Sequence, residues 1–315
     1  MVIGIDVAKD SLVVAVHPSG ETWTTGTTAK ELRALAKRVR RLAPTLVALE
    51  ATGGYEIPVL GALAAAEVPL SLVQPGRVRK FAGAHGQLAK TDVIDARIIA
   101  QFAAQMAPAP YTLPDAVQRG LMLLVARRRQ IDEMLVAERQ RLDQQQLFPD
   151  SPVRADVEET VAYLEAKRQD FDQQLHAYVA AHPRWTESAA LLRSVPGVGP
   201  ITVATLLAFL PELGTLSRQE IAALVGVAPM AADSGAWRGQ RHVRGGRAMV
   251  RRVLYMAALA ATRHNPWLRP FFAQLCARGK TGKQALTACM RKLIVLLNSI
   301  LKTKTPWQAP TPATA

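Results

Sequence analysis

The chain has 315 residues, of which 49% are hydrophobic, so it can bury one large core or two and is not a disordered tail. Its two cysteines, Cys276 and Cys289, are far apart and form no CxxC pair, which excludes a disulfide framework and a zinc cluster and suits a reducing cytosol. The N-terminus carries acid and no window reaches the roughly 18 apolar residues of a membrane span. We therefore expect a soluble, cytoplasmic protein with no membrane partner.

The formal charge of +14 at pH 7 is concentrated toward the C-terminus. Residues 191–315 carry 17 Lys or Arg and 3 Asp or Glu, whereas residues 1–115 carry 12 and 10 and residues 116–190 carry 10 and 12. A charge that served solubility alone would be spread more evenly. The asymmetry predicts that the last third of the chain meets a polyanion, in particular a nucleic acid.

The first hundred residues alternate strand and helix signals. Three short β-branched runs, VIGID, SLVVAVH and TWTTGTT, predict an antiparallel meander. A helix with apolar spacing follows in AKELRALAKRVRRLA, and then come the strand TLVALE, the helix YEIPVLGALAAAE, the strand VPLSLV and a helix at KTDVIDARIIA. The periodicity predicts an α/β fold with a mixed sheet. The order β-β-β-α-β-α-β-α is that of a ribonuclease H-like (RuvC-like) sheet.

Two heptad-like seams follow this region. Apolar residues step by 4 and 3 from Val117 to Leu142, with Arg128 and Glu138 as polar interruptions, and a second seam runs from Val157 to Leu175. The prolines of LFPDSP separate the two helices. The seams predict a helical hairpin that either packs on itself or pairs with another chain as a coiled coil. We expect the second case, a homo-oligomer such as a dimer or tetramer.

The stretch LLRSVPGVGPITVATLLAFL predicts a helix-hairpin-helix within a mainly helical C-terminal domain. Gly197 and Gly199 have no Cβ, so the backbone N–H groups at the start of the second helix can approach a phosphate. The motif therefore indicates nucleic-acid binding. A purely structural helical hairpin is the alternative.

Four acidic residues have positions that suggest metal binding. Asp6 and Glu50 end predicted strands, and Asp92 and Asp95 lie at i and i+3 near a helix start. Mg²⁺ or Mn²⁺ takes oxygen ligands from a few carboxylates, and a pair of such ions about 4 Å apart can polarise a phosphodiester. Each acid also has an alternative explanation without a metal. Asp6 and Glu50 would be ordinary turn residues after strands, and Asp92 and Asp95 would stabilise a helix start capped by Thr91.

Ser234 lies in the turn sequence Asp-Ser-Gly, just before a run of arginines. It is either a turn residue or a nucleophile presented to a phosphate. The cationic and aromatic residues around it are candidate nucleic-acid contacts, with a solvated surface as the alternative. These candidates are Trp237, Arg238, Arg241, Arg244, Arg247 and Arg251.

Six motifs together resemble one family: GIDVAKD, LEATGGYE, KTDVIDA, VPGVGPITV, GVAPMAADSG and RGGRAMVRRVLYMAALAA. In this order and over nearly the whole chain they resemble the DEDD transposases of the insertion-sequence one-ten family, relatives of the Piv DNA invertase. The resemblance implies a RuvC-like N-terminal domain whose catalytic, metal-binding acids match Asp6, Glu50, Asp92 and Asp95. It also implies a C-terminal transposase domain whose catalytic serine matches Ser234.

The resemblance further implies a bacterial recombinase, nucleoid-associated during its reaction, that forms a phosphoserine-DNA intermediate. A structured noncoding RNA, the bridge RNA, would pair with donor and target DNA, and the acids of one subunit would complete a site with the serine of another. We expect a RuvC-like domain at residues 1–110, a coiled-coil linker at 111–185 and a serine-bearing domain at 186–315.

Two other functions fit the same residues. The first is a metal-dependent, structure-selective nuclease or Holliday-junction resolvase that uses water, with Ser234 as a turn residue. The second is a non-catalytic DNA- or RNA-binding protein that relies on the helix-hairpin-helix and the basic last third.

Overall fold

The computed structural model describes residues 1–309 apart from Pro149, Ala232, Ala236, Arg238 and Gln240. Pro149, one of the two predicted helix-breaking prolines, and Arg238, a predicted nucleic-acid contact, therefore lie outside the described residues. The chain divides into two compact units, Met1–Pro114 and Asp115–Ala315. The expected division into three domains stays a prediction.

The first unit contains a five-stranded mixed sheet. Its strands are β1 (Val2–Val7), β2 (Ser11–His17), β3 (Thr22–Gly26), β4 (Leu46–Glu50) and β5 (Leu70–Val73). Their order is β3-β2-β1-β4-β5. The first three strands form an antiparallel meander, and β4 and β5 run parallel to β1. The predicted mixed, ribonuclease H-like sheet is confirmed.

Four helices cover the two faces of this sheet. They are α1 (Ala29–Leu42), α2 (Glu56–Ala65), α3 (Pro75–Ala84) and α4 (Asp92–Met106). Thr28 and Glu31 form a capping box that starts α1, which then buries Leu32, Leu35 and Val39 at helical spacing. Apolar side chains of β1, β2 and β4 form one core with α1 and α2, whereas α3 and α4 contribute to a second cluster.

Helix α4 packs directly on the backbone of β1 at Gly4. A Cβ built on Gly4 would lie 2.3 Å from the carbonyl oxygen of Ala96 and 2.4 Å from the amide nitrogen of Ala100. Both neighbours are helix backbone and cannot rotate away, so any side chain here would force the helix off the sheet. Glycine at this position therefore sets the distance between β1 and the first turns of α4.

The second unit is helical. Its α-helices are α5 (Ala116–Gln145), α6 (Arg154–Ala180), α7 (Thr186–Arg193), α8 (Pro200–Phe209), α9 (Arg218–Val225), α10 (Ala248–His264), α11 (Leu268–Ala277) and α12 (Gly282–Thr303). A 3-10 helix at Pro183–Trp185 connects α6 to α7. The α/β-plus-α fold class is thus confirmed.

The seams of α5 and α6 pack against each other within one chain. Leu121 and Leu135 of α5 are buried with Leu175 and Leu164 of α6. Arg128, the polar interruption of the first seam, donates to Asp132 and Asp172. Self-packing, the alternative considered above, therefore accounts for these positions. Pairing between chains stays a prediction.

Helix α12 lies in the core of the second unit, where Leu293 and Ile294 pack with residues of α10. Within the described residues it is the one helix that is long and apolar enough to cross a membrane. Half of its most apolar window is buried inside the unit, however. This burial is that of a core helix.

Changing Gly4 to Ala tests the close approach of α4. The added methyl group meets helix backbone, so we expect a loss of about 1–3 kcal/mol in the free energy of unfolding. Gly61→Ala in α2 is the control, because a Cβ there has nothing within 4 Å and alanine favours a helix by roughly 0.5–1 kcal/mol. Urea unfolding measures both variants. A Gly4→Ala protein as stable as Gly61→Ala contradicts the close approach.

Candidate active site

Two of the four predicted acids lie at the same edge of the sheet. Ile5 of β1 pairs with Leu49 of the parallel neighbour β4. Asp6 and Glu50 are the next residues along these strands, so their side chains leave the sheet at adjacent positions. Both residues are only partly exposed.

The other two acids belong to the first turn of α4. Thr91 is the N-cap, and its Oγ1 accepts a hydrogen bond of 3.3 Å from the backbone N–H of Ile94. The predicted cap is therefore present. The helix dipole also stabilises negatively charged carboxylates in the first turn. Because Gly4 lets α4 lie against β1, this turn is brought to the edge that carries Asp6.

Each of the two strand-end acids lies within electrostatic reach of an acid in the first turn of α4. The pKa of Asp6 is raised above its ordinary value by burial, then by the charge of Asp95 and then by that of Asp92. The pKa of Glu50 is raised by burial, then by Asp6 and by Asp95. Lys90 opposes both shifts without reversing either. Repulsion thus links the four sequence-predicted acids into one cluster, in which a negative charge at Asp6 or at Glu50 is unfavourable.

The donor chemistry of this cluster fits a hard divalent cation, because carboxylate oxygens are the preferred ligands of Mg²⁺ and a cation relieves their repulsion. Among the described residues, however, no group of three or more histidine, cysteine or carboxylate side chains is arranged to hold a metal ion. The acids are electrostatic neighbours rather than a formed metal cage. How the ligands are shared stays a prediction.

Glu56 is a residue that the sequence reasoning missed. It is 7% exposed, and its Oε2 accepts hydrogen bonds from Thr52 N (3.1 Å), Thr52 Oγ1 (2.9 Å) and Gly54 N (2.8 Å). Burial alone would raise its pKa, but the backbone and Thr52 hydrogen bonds outweigh burial and hold the pKa below its ordinary value. Glu56 thereby fixes the turn after Glu50. The signal available in the sequence was Thr-Gly-Gly-Tyr-Glu, in which an acid follows a threonine by four residues with two glycines between them.

Ser234 lies in an exposed hairpin turn of the second unit. Its backbone N–H donates to Trp237 O (3.0 Å), and Trp237 N–H donates to Ser234 O (2.9 Å). A second bridge joins Met230 and His242 nearer the base of the hairpin. Trp237 is 63% exposed. Ser234 therefore lies next to a backbone-bonded turn and at the surface, and its role as a turn residue or a nucleophile stays a prediction.

The predicted arginine contacts separate into two groups. Arg247 donates to Glu212 Oε2 (2.6 Å) and Phe209 O (2.8 Å), and Arg251 donates to Gly245 O. These two guanidinium groups therefore hold the fold. Arg241 and Arg244 are exposed. Neither Arg241 nor Arg244 forms an ion pair among the described residues, and contact of the described arginines with a phosphate stays a prediction.

The two glycines of the helix-hairpin-helix also differ. Gly197 has φ +99°, and a Cβ there would lie 2.7 Å from the amide nitrogen of Ala261, so packing against α10 requires glycine. Gly199 is the exposed N-cap of α8 and has open space above it. Gly197 thus has a structural reason for its identity. Phosphate binding at Gly199 stays a prediction.

Two family models match the chain. A DEDD transposase model of the IS110 family matches residues 3–149, and the model described as "Transposase IS116/IS110/IS902 family" matches residues 189–273. Together they span more than two thirds of the chain.

Relatives in three bacteria support this match. The pilin gene-inverting proteins of Moraxella lacunata and Moraxella bovis are each 25% identical over 316 aligned residues, which cover 97% of this chain and 97% of each relative. An insertion element IS110 protein of 43.6 kDa from Streptomyces coelicolor is 32% identical over 150 residues, 47% of this chain and 36% of its own. RuvC from Thermus thermophilus aligns over 35% of this chain and 99% of its own, with 23% identity and a TM-score of 0.27. That score is too low to add to the strand order described above.

A ribonuclease H-like sheet with acids at one edge, next in sequence to a cationic helical unit, is typical of enzymes that act on nucleic acids. The chain belongs to the IS110 family of transposases and is a DNA recombinase. Membership in a DEDD family implies dependence on a divalent metal ion.

Asp6→Asn should stabilise the metal-free protein, because it removes a half-buried charge that faces Asp95 and Asp92. With its pKa raised, ionised Asp6 destabilises the fold above that pKa, and this cost disappears as the pH falls below it. We expect a rise in Tm of about 2 °C at neutral pH, discounted for solvent screening, and none at acidic pH. Thermal melts in EDTA measure it, with the exposed Asp10→Asn as control.

In millimolar Mg²⁺ the wild type should have a higher Tm than Asp6→Asn, the reverse of the order expected in EDTA. A cation that binds the folded state alone raises its Tm, so the wild type should gain more than Asp6→Asn. Equal gains in both proteins, or a Tm for metal-free Asp6→Asn no higher than that of Asp10→Asn, would argue against a charged metal site at Asp6.

Glu56→Ala should destabilise the first unit. The change leaves the partly buried N–H groups of Thr52 and Gly54 without their acceptor, at a cost of roughly 1–3 kcal/mol in the free energy of unfolding. Glu67→Ala serves as the control, because the Glu67 carboxylate is 82% exposed. Urea unfolding compares the two variants, and equal stabilities would remove Glu56 from this anchoring role.

Proposed function

We propose that this transposase cuts DNA strands and rejoins them between a donor and a target through a phosphoserine-DNA intermediate at Ser234. The observation that carries the proposal is the cluster of Asp6, Glu50, Asp92 and Asp95, in which burial and mutual repulsion raise the pKa of two members. Carboxylates with a perturbed pKa occur at functional sites more often than at structural ones. The match of the family models supports the same chemistry.

The four acids would hold Mg²⁺ or Mn²⁺, which when bound supplies positive charge to a phosphodiester and to an oxygen nucleophile. Asp6 and Glu50 offer oxygens from rigid strand ends, and Asp92 and Asp95 offer theirs from one helix turn. Rigid elements of this kind keep ligands in place. The backbone contact at Gly4 holds the two sets near each other.

Ser234 would supply the nucleophile. Its Oγ forms a bond to the scissile phosphorus while the bond from phosphorus to the departing strand end breaks. The hydroxyl proton passes to solvent, and the departing oxygen takes one up. In the second half of the reaction the hydroxyl of a new strand end attacks the same phosphorus and displaces Ser234. The phosphodiester is thereby re-formed without hydrolysis. Exposure of Ser234 at a hairpin tip supports access to a large substrate.

The remaining parts of the proposal concern partners. The basic last third supports a nucleic-acid partner, and the resemblance to bridge-RNA-guided recombinases supports a structured noncoding guide RNA that pairs with donor and target. We further propose a dimer or tetramer, formed through the α5–α6 hairpin. The reaction would take place on the nucleoid in a bacterial cytoplasm.

The second candidate is a metal-dependent nuclease or Holliday-junction resolvase that uses water. The backbone hydrogen bonds between Ser234 and Trp237 favour it, because they account for Ser234 as an ordinary turn residue. In this case the acids act alone and no protein-DNA ester forms.

Ser234→Ala separates the two functions. Loss of the hydroxyl should lower strand exchange by at least about 100-fold, since removal of a nucleophile costs orders of magnitude. Ser299→Ala, at an exposed serine of α12, is the matched control and should retain activity. The measurement uses labelled donor and target DNA with guide RNA. Denaturation during the reaction should trap an adduct, and peptide mass should place it on Ser234.

Asp92→Asn completes the design. The asparagine side chain keeps the shape of aspartate but lacks its charge as a proposed ligand, so this variant should form neither adduct nor product. Ser234→Ala should also form no adduct but should keep DNA binding. An active Ser234→Ala protein defeats the serine intermediate and leaves the nuclease. Full activity of Asp92→Asn, or of wild type in chelator, defeats the metal site.

A further inference from the structure

A cationic groove of about 630 Å³ lies in the second unit, apart from the hairpin tip that carries Ser234. Its walls come from two places. One wall is the base of the hairpin, with Arg241 and His242, and the other is the end of α11 and the first turns of α12, with Lys280 and Arg291. None of the motifs used above includes Lys280 or Arg291.

The charge of this groove is unpaired. No carboxylate lines it, and none of the ion pairs among the described residues involves Arg241, Lys280 or Arg291. The sequence explains why: Asp233 is the last acidic residue, so residues 234–315 contain 15 Lys or Arg and no Asp or Glu. Clustered cations without partners are unfavourable for the fold alone, and they attract a polyanion.

Apolar residues line the groove together with the cations. Val227, Pro229, Leu275 and Ala288 form what we call its apolar floor, and His242 adds a flat ring. A duplex hides its bases and presents phosphates on a surface about 20 Å across, which suits a shallow patch. An unpaired nucleotide presents a flat base together with its phosphate, and single-strand sites combine a positively charged groove with flat side chains on which a base stacks. A volume of this size suits one or two nucleotides.

Both walls are held by hydrogen bonds. Met230 N–H donates to His242 O (3.0 Å), which fixes the residue next to Arg241. Lys280 N–H donates to Leu275 O (3.1 Å), and the capping box of Thr281 and Gln284 starts α12 immediately afterwards. The cations therefore project from a fixed frame, which lowers the entropy that binding costs.

We infer that this groove binds an unpaired nucleotide of a single strand, with its phosphates on Lys280, Arg291 and Arg241 and its base on the apolar floor. The inference rests on the proposed function, because it assumes a nucleic-acid partner, and it names the form in which the second unit receives that partner. The strand is RNA or DNA, since both offer this chemistry.

The test compares two double variants of the full chain that lose equal charge. Lys280→Gln/Arg291→Gln changes the groove, whereas Arg263→Gln/Lys302→Gln changes exposed, unpaired cations outside it. Fluorescence anisotropy measures binding of a single-stranded RNA, a single-stranded DNA of the same sequence, and the matching DNA duplex over a range of salt. All three probes are labelled alike. Thermal melts check that both variants are folded.

We expect the groove variant to bind a single strand roughly tenfold more weakly, and to lower the salt slope by about 1.4, the value for two phosphate contacts on a single strand. The control should change each quantity by less than half as much, and the duplex should be affected equally by both variants. Loss confined to the RNA identifies RNA as the source, and loss confined to the DNA identifies DNA.

A photo-crosslink locates the strand directly. Oligonucleotides with iodouridine or iododeoxyuridine should label peptides that contain Arg241 to Val243 or Leu275 to Arg291. Equal loss in both double variants, or crosslinks elsewhere, would overturn the groove and leave the proposed function in place. A wild-type chain that binds none of the three probes would instead overturn the nucleic-acid partner, and with it the proposed function.

Discussion

The contact between the backbone of α4 and the backbone of β1 at Gly4 is the constraint on which the candidate active site depends. Asp6 lies two residues beyond Gly4 on β1, and Asp92 and Asp95 precede Ala96 on α4, which touches Gly4. A side chain of any size at Gly4 would separate these acids. The absence of a Cβ in a buried strand, ordinarily a weakness, thus permits the carboxylates to approach.

This approach has an electrostatic consequence. Burial and the neighbouring acids raise the pKa of Asp6 and of Glu50, which reduces the stability of the folded chain, and Lys90 and Arg79 offset only part of that effect. A fold selected for stability alone would replace one acid by a neutral residue. The cluster is therefore better explained by a ligand that favours negative charge, because a divalent cation converts the repulsion into affinity.

The order of the strands along the chain and the positions of the acids were predictable because both depend on local patterns. Short β-branched runs identify the strands, and a carboxylate that ends a buried strand, such as Glu50, lies at its end whatever the rest of the chain does. Glu56, Arg247 and Gly197 were not predictable in this way. Their roles depend on partners at Gly54, Glu212 and Ala261, which only the folded chain identifies. For Gly197, the motif suggested phosphate binding where packing supplies a sufficient reason.

The cationic last third illustrates the same limit. Net charge indicates that a polyanion binds but does not say which residues contact it, because some of the arginines pair with carboxylates of the same chain. Arg247 pairs with Glu212 and Arg252 pairs with Glu133, whereas Arg241, Lys280 and Arg291 have no carboxylate partner among the described residues. Removal of a paired arginine leaves a carboxylate without its partner and lowers stability, so weaker binding in such a variant says little about contact with a phosphate. Only the unpaired cations give a direct measure of that contact, because their loss leaves no buried group unsatisfied.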